Sequence, residues 1–226
     1  MMDNITQQDI LSHQWVPSPM WFSFWTSMWG IHADQFSVSK HYIQINEEHW
    51  NLFDGIDLRS TAGRILIRDE YLYQYTRLCN LHGSADFLPH GVVLTGSPGV
   101  GKSFFAVFGL ASQLRDRKTT LFVLADGTVV LFCEAGAFIT QKQSSTSITM
   151  APLIRYRGDT PAARFWVFID ASQDFQEPPD DLTNTNAFFP VQCVPPEYSR
   201  YKKWIVDGRA AVWIMQPWRM QEFAEG

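Results

Sequence analysis

The sequence has few cysteines, no excess of basic residues and no long hydrophobic run, and each absence excludes a class of protein. Cys79, Cys133 and Cys193 lie far apart, without paired spacing or histidines at ligand intervals, which argues against a disulfide framework and a zinc site. We therefore expect reduced, mostly buried thiols in an intracellular protein of the cytosol or nucleus. Lys and Arg total 18 against 23 Asp and Glu, so binding of nucleic acid through bulk positive charge is not expected.

The most apolar stretch, "MWFSFWTSMWGI" at residues 20–31, is too short to be a membrane span, which needs about 20 residues. No Lys or Arg precedes it, so it does not fit a secretory signal peptide either. We predict a buried helix or an aromatic docking surface here. Four of the nine tryptophans precede residue 30, and tryptophan is enriched in interface hot spots, so a protein partner for this region is one hypothesis. The alternative is that these aromatic side chains cover the core.

Residues 64–226 carry a clearer structural pattern than residues 1–63, which are rich in aromatic residues and weakly patterned. We predict an N-terminal extension over 1–63 and a core over 64–226. Strands are predicted at 65–67, 92–95, 165–169 and 211–215, helices at 70–81, 102–117 and 198–206, a hairpin around Asp126-Gly127 and a proline-rich connection over 176–197. Strands that alternate with helices, and apolar runs without period-2 alternation, predict an α/β fold with a mostly parallel sheet covered on both faces.

The stretch "GSPGVGKS" matches the phosphate-binding pattern G-x-x-x-x-G-K-[ST], and we call it the glycine-rich loop. Such a loop follows a strand, wraps its backbone N–H groups around phosphates and opens a helix whose dipole favours negative charge. Lys102 is predicted to reach the β- and γ-phosphates, and the Ser103 hydroxyl to bind Mg²⁺. The predicted nucleotide-binding residues are Gly96, Ser97, Pro98, Gly99, Val100, Gly101, Lys102 and Ser103.

A second acidic site follows the apolar run "WVFI", where Asp170 ends a predicted strand. A carboxylate at the carboxyl end of a neighbouring strand can hold a water ligand of Mg²⁺, so Asp170 is predicted as a metal partner, catalytic together with Lys102. The next residue is Ala171, where many ATP-hydrolysing proteins have a glutamate that activates water. Weaker candidates are Asp174 and Glu177, the nearest later acids for the water-activating role, and Gln216 for positioning the attacking water. Arg155, Arg157 and Arg164 could supply positive charge to phosphates in cis or to a neighbouring subunit.

The order of "ILIRDEY", "GVVLTGSPGVGKSFF", a hydrophobic hairpin, "WVFID" and "WIMQPWRMQEF" resembles the P-loop NTPase module of Crinkler-type proteins and of retrotransposon hot spot proteins, which are related to the AAA+ and STAND branches. The resemblance covers roughly residues 64–226. It implies ATP and Mg²⁺ as cofactors, bound by the glycine-rich loop and Asp170, in a protein acting near nucleic acid or, as a delivered effector, inside a host cell. Because family members commonly carry further domains, it also implies a chain truncated before a helical lid or C-terminal domain. The missing glutamate at Ala171 is a departure from the family pattern that bears on hydrolysis.

Three functions stay open at this point. The first is a Mg²⁺-dependent ATP-binding protein with a weak or partner-dependent ATPase activity, in which case Lys102 and Mg²⁺ still stabilise phosphoryl charge. The second is a non-hydrolysing nucleotide switch or scaffold. The third, a small-molecule kinase, would need a substrate-binding lid that the sequence does not show.

Overall fold

A computed structural model describes residues 7–11, 15–31, 42–53, 55–84, 89–140, 153, 163–171, 180–183, 185–207, 209–220 and 222. The strands in these ranges are β1 Trp15–Pro17, β2 Tyr42–Gln44, β3 Arg64–Leu66, β4 Gly91–Thr95, β5 Thr120–Val123, β6 Val129–Cys133, β7 Gly136–Thr140, β8 Phe165–Asp170, β9 Phe188–Cys193 and β10 Ala210–Ile214. The α-helices are α1 Gln7–Leu11, α2 Pro19–Met28, α3 Asp69–His82, α4 Lys102–Arg115, α5 Asp180–Thr183 and α6 Lys202–Val206. Glu47–Leu52 and Tyr198–Arg200 form short 3₁₀ helices.

Eight of these strands form one mixed sheet in the order β1-β7-β6-β5-β8-β9-β4-β10, and β2 pairs with β3 in a separate antiparallel ribbon. The pairings from β5 through β8, β9 and β4 to β10 are parallel. The pairings of β5 with β6, β6 with β7 and β7 with β1 are antiparallel. The predicted α/β class is therefore confirmed, but the sheet is parallel in one half only.

Strands β4, β5, β6, β8 and β9 are buried on both faces of the sheet, as the uninterrupted apolar runs predict, whereas the edge strand β10 exposes Val212 and Ile214. Along β8, Trp166 and Phe168 belong to a large core with α2, α3 and α4, whereas Val167 and Ile169 pack into a second cluster on the opposite face. Helix α4 lies very close to β8. A Cβ atom added to Gly109 would stand only 2.3 Å from the Phe168 ring. This close packing fixes the position of α4 relative to β8.

Most predicted elements of the core are present within one or two residues. Helix α3 starts with acidic residues, which favour a helix N-terminus, and ends at Gly83, as expected from the sequence. The hairpin at Asp126-Gly127 joins β5 to β6, and the side chain of Asp126 stabilises the turn by accepting a hydrogen bond from the Thr128 N–H. The stretch "PWRMQEFAEG" after the last predicted strand favours a further helix, but Pro217 to Arg219 are not helical, and among the described residues of this stretch Met220 and Glu222 are.

The predicted proline-rich connection over 176–197 is wrong at its centre, where the structure has strand β9 between β8 and β4. The sequence did not indicate this strand because it contains Pro190, and proline is rare in central strands. The Val194 N–H bonds to the Leu94 carbonyl, and alternate residues of a strand turn their N–H groups to the same side. The backbone nitrogen of Pro190 therefore faces the amino end of β4. Because β4 begins only at Gly91, no hydrogen bond of the sheet is lost there through the absence of an N–H on Pro190.

The described part of residues 1–63 packs on the core. Strand β1 extends the large sheet by pairing with β7. Helix α2 buries Trp21, Phe24 and Met28 in the main core, so the predicted buried helix at 20–31 is confirmed over its helical part. Trp15 is also buried, in the cluster on the opposite face, whereas Met20 and Phe22 are exposed.

Candidate functional site

The candidate site lies where the carboxyl ends of β4, β9 and β8 meet at one edge of the sheet. Strand β4 runs into the glycine-rich loop and then α4, and β8 ends at Asp170. In the strand register Cys193 lies between Leu94 and Asp170, so these three residues share the sheet face that α4 covers. This edge is where open α/β sheets bind ligands.

The glycine-rich loop has a backbone that only glycines adopt easily. Gly99 and Gly101 have φ angles of 79° and 90°, in the left-handed region, and Val100 between them is not in that region. Alternation of left- and right-handed conformations turns successive N–H groups toward one side and forms an anion-binding nest. Because α4 begins directly after Gly101, the positive end of its dipole lies at the same point. The predicted strand, loop and helix arrangement is present.

Lys102 and Ser103 bring two kinds of polar group to this edge. The Lys102 ammonium donates hydrogen bonds to the carbonyls of Gly96 and Ser97, at 2.9 and 3.0 Å. Burial lowers the pKa of Lys102, while the neighbouring Cys193 and Asp170 act in the opposite direction. The Ser103 side chain lies next to the carboxyl group of Asp170 and acts to lower its pKa. The structure thus brings Lys102, Ser103 and Asp170 together, although Asp170 is far from the loop in the sequence.

Asp170 is a buried carboxyl group with a 6% exposed side chain. Burial raises its pKa to about 6, although the Ser103 side chain and the Lys102 charge both lower it. The carboxyl group is therefore mainly ionised at neutral pH, but at a cost that a bound cation would reduce. A hydroxyl and a carboxylate are the oxygen ligands that Mg²⁺ prefers, and Mg²⁺ usually keeps several waters, so this pair fits it. Within the described ranges no group of three or more His, Cys, Asp or Glu side chains is placed so that it could hold a metal ion.

Cys193 is a member of the site that the sequence did not indicate. It is fully buried at the end of β9, and burial raises the pKa of its thiol well above the usual value, with Asp170 adding to the effect and Lys102 opposing it. The thiol is therefore neutral at physiological pH. Its position follows from the strand order, and no local motif could have revealed it.

Ala171 lies on the other face of the sheet. Its side chain, 4% exposed, packs in an apolar cluster with Val194, Tyr201 and Trp204, while its N–H donates to the Cys193 carbonyl. A glutamate at this position would have its carboxylate among these apolar groups, away from Ser103. Position 171 therefore lacks a water-activating group for two reasons: the residue is an alanine, and its side chain points away from the site.

The weaker candidates have different outcomes. The backbone of Gln216 bonds to Glu70 and Arg68, and its side chain is exposed. Arg164 is buried at the amino end of β8, about 20 Å along the strand from Asp170 at 3.3 Å per residue. It donates to the carbonyls of His82 and His90 and stacks on Phe189, so it cannot contact a ligand at the loop. The remaining four, Arg155, Arg157, Asp174 and Glu177, lie outside the described residues.

Two other predictions concern the cysteines and membrane spans. The cysteines are free, as expected from their spacing. In the described part of the chain, no helix combines the length and the apolar character needed to cross a bilayer.

A scan against models of known protein families finds no match to this chain, and a search of curated proteins finds no relative.

Proposed function

We propose that this chain is a Mg²⁺-dependent ATP-binding protein whose ATPase activity is weak or depends on a partner. The observation that carries the proposal is the meeting of Lys102, Ser103 and Asp170 at the N-terminus of α4, beside the left-handed glycines of the loop. The loop N–H groups and Lys102 would bind the phosphates, and Ser103 and Asp170 would hold the metal ion. Bound Mg²⁺ would supply neutralisation of phosphate charge.

A non-hydrolysing nucleotide switch is the second candidate, and the burial of Ala171 in an apolar cluster favours it. A general base has to lie within hydrogen-bond reach of the attacking water. Ala171 supplies no such base, and Asp170 is assigned to the metal ion, so hydrolysis would need another group to activate the water. The similarity to the Crinkler-type and retrotransposon hot spot modules belongs to the same proposal.

A partner at the N-terminal aromatic region also stays a proposal. Trp15 and Trp21 are buried in the protein itself, which supports the alternative that these residues cover the core. Among the described large apolar side chains of residues 7–31, Leu11, Met20 and Phe22 are exposed, at 44%, 56% and 47%, and Trp25 and Trp29 are half-buried. A partner contact on this described part would use the exposed side chains and the accessible parts of Trp25 and Trp29, and not Trp15 or Trp21.

The test is calorimetric titration with ATP, in Mg²⁺ and in EDTA, for the wild type, Lys102→Ala and Asp170→Asn. We expect Lys102→Ala to weaken binding by about 10- to 100-fold, because a hydrogen bond to a charged group contributes about 1.5–3 kcal/mol. Asp170→Asn should remove most of the gain in affinity that Mg²⁺ gives the wild type. Lys118→Ala is the matched control, since Lys118 follows the other end of α4 and its side chain is 51% exposed.

A wild type that fails to bind ATP, or equal binding by Lys102→Ala and Lys118→Ala, would contradict the proposal. Phosphate release measured on the same samples separates the functions. Slow release by the wild type indicates an ATPase, and binding without release indicates the switch. Transfer that appears only with an added acceptor indicates a kinase. GTP titrated in parallel tests the preference for the base.

A further inference from the structure

Three consecutive carbonyl groups of the glycine-rich loop accept hydrogen bonds from side chains outside the loop. The Trp218 indole N–H donates to the Gly99 carbonyl at 3.0 Å. Arg68 donates to the Val100 carbonyl, and the Tyr71 hydroxyl donates to the Gly101 carbonyl at 2.7 Å. We call Arg68, Tyr71 and Trp218 the carbonyl clamp.

The clamp residues come from two distant segments, the start of α3 and the segment that follows β10. Arg68 is 2% exposed and forms an ion pair with Glu222, with nitrogen to oxygen distances of 3.1 and 3.2 Å. Its guanidinium also stacks on the Trp218 ring at 4.3 Å and donates to the Gln216 carbonyl. Tyr71 is 1% exposed, and burial raises the pKa of its hydroxyl, which therefore stays protonated and able to donate. The clamp is thus rigidly held on the side of the loop from which it acts.

The direction of these hydrogen bonds has a consequence for the loop N–H groups. In a trans peptide the C=O of one residue and the N–H of the next point in opposite directions. With the Val100 and Gly101 carbonyls held toward Arg68 and Tyr71, the N–H groups of Gly101 and Lys102 point away from the clamp. These are the groups that a nest at a helix N-terminus presents to an anion.

We propose that Tyr71 and Arg68, supported by Trp218, are positioning residues for the triphosphate, which they do not touch but whose N–H donors they hold in the binding orientation. The Val100 N–H, which follows the Gly99 carbonyl, bonds to the Ser97 carbonyl within the loop, so Trp218 acts by holding the loop turn and by stacking on Arg68. This inference rests on the proposed function and assigns a role to residues outside the loop motif. Preorganised donors bind more tightly because less conformational freedom is lost on binding. The clamp should therefore affect the phosphate contacts alone and leave recognition of the base unchanged.

The main test is the affinity of Tyr71→Phe for Mg·ATP and for Mg·tripolyphosphate. This variant removes only the hydroxyl, and Tyr73→Phe on the same helix is the matched control because Tyr73 is 57% exposed. We expect weaker binding for Tyr71→Phe by up to about fivefold, and by the same factor for both ligands. A bond of about 1 kcal/mol is the most by which its loss could shift the loop out of the binding orientation, and the Gly101 carbonyl also accepts from the Phe105 N–H. Tyr73→Phe should bind as the wild type does.

A second variant, Trp218→Phe, keeps a ring over Arg68 but loses the indole donor. Its bond to Gly99 is solvent-exposed, so we expect only a two- to threefold loss on the scale of an exposed hydrogen bond, with Trp213→Phe as control. The indole ¹H–¹⁵N resonance of Trp218, assigned by its loss in the variant, should shift when Mg·tripolyphosphate binds. The resonance of Trp213, which stacks on Arg77 at 3.9 Å, should not shift.

Several outcomes decide between this inference and its alternatives. If Tyr71→Phe lowers the unfolding midpoint but binds both ligands as the wild type does, the clamp is structural only and the inference is wrong. A loss confined to ATP, without loss for tripolyphosphate, would also overturn it. If the wild type binds neither ligand, the proposed function fails instead, so the two failures are distinguishable.

Discussion

At the scale of single residues, the burial of Asp170 suits the binding of a cation but destabilises the ligand-free protein. Its carboxyl group is buried, and its pKa of about 6 lies above the usual value because burial disfavours the charged form. A group whose pKa is raised by folding makes its full stabilising contribution to the native state at pH values below its pKa in the unfolded chain. That contribution is lost as pH rises through the folded value. Ionised Asp170 therefore destabilises the ligand-free protein at neutral pH.

We predict that Asp170→Asn gains stability relative to the wild type as pH rises from 3.5 to 7.5. A shift of about two pKa units corresponds to about 3 kcal/mol, and the asparagine has no charge to bury. Urea unfolding of both ligand-free proteins across this pH range measures the difference. A constant difference would show that Asp170 titrates normally in the native state. Asp180→Asn, whose side chain is 64% exposed, is the control.

The sequence predicted the positions of those candidate-site residues that depend on local spacing. The glycines, Lys102 and Ser103 occupy fixed offsets in one loop, and Asp170 follows a recognisable apolar strand. It did not predict Cys193 or Tyr71 as site residues, because each reaches the loop through a strand or helix whose neighbours are set by tertiary packing. Ala171 was recognised as a missing acid, but only the structure shows that its side chain faces the opposite side of the sheet.

At the scale of elements, the contact between α4 and β8 sets the geometry of the site. Helix α4 carries Lys102 and Ser103, and β8 carries Asp170. The two elements approach closely because Gly109 has no side chain where the Phe168 ring lies. A larger residue would force them apart or displace the ring, because protein interiors are densely packed.

We predict that Gly109→Ala destabilises the protein by about 2 kcal/mol, since overpacking costs typically 1–3 kcal/mol and exceeds the gain in helix propensity. The added Cβ would lie 2.3 Å from the Phe168 ring. Thermal or urea unfolding measures the loss, and Gly83→Ala is the control, because an added Cβ there meets nothing closer than 3.3 Å. A double-mutant cycle with Phe168→Leu should show that the two changes are coupled. Additive effects would mean that the helix moves without contacting the ring.

Strand β9 illustrates which elements sequence patterns reveal. Short strands with clear boundaries, such as β4 and β8, are marked by apolar runs, whereas Pro190 masked β9. The antiparallel strands β1 and β7 were also missed. Strand β1 pairs with β7, which is distant in the chain, so this contact has no local signal. Strand β7 forms a hairpin with β6 through Glu134-Ala135, which is not one of the dipeptides that mark tight turns. The position of β9 nevertheless decides the site, since it places Cys193 between the loop strand and Asp170.

At the scale of the whole molecule, the described part of residues 1–63 joins the large sheet through β1 and packs into the same hydrophobic clusters as residues 64–226. Strand β1 pairs with β7, and Phe24 of α2 contacts Phe132 of β6 and Phe53 with ring centroids 6.1 and 5.2 Å apart. Shared burial of this kind couples the stability of the segments. The region over 1–63 should therefore not unfold separately from the rest.

We predict that Phe24→Ala lowers the free energy of unfolding by about 3–5 kcal/mol and that the variant still unfolds in one transition. Phe24 is fully buried, whereas Phe22, two residues earlier on the same helix, is 47% exposed. Phe22→Ala should therefore cost much less. Denaturant unfolding followed by tryptophan fluorescence and by far-UV circular dichroism measures both variants. Separate transitions for the two probes would show that the N-terminal region is an independent unit.

The sequence by itself determined the α/β class, the glycine-rich loop at the end of a strand and the placement of Asp170 at the end of another. These features depend on residues close together in the chain, where backbone preferences and apolar patterns act directly. Only the tertiary structure decided that β9 separates the two strands, that Ala171 points away from Ser103, and that α3 and the segment after β10 hold the loop from outside. Those features depend on which distant surfaces pack together, and burial and hydrogen bonding across the whole fold set that choice.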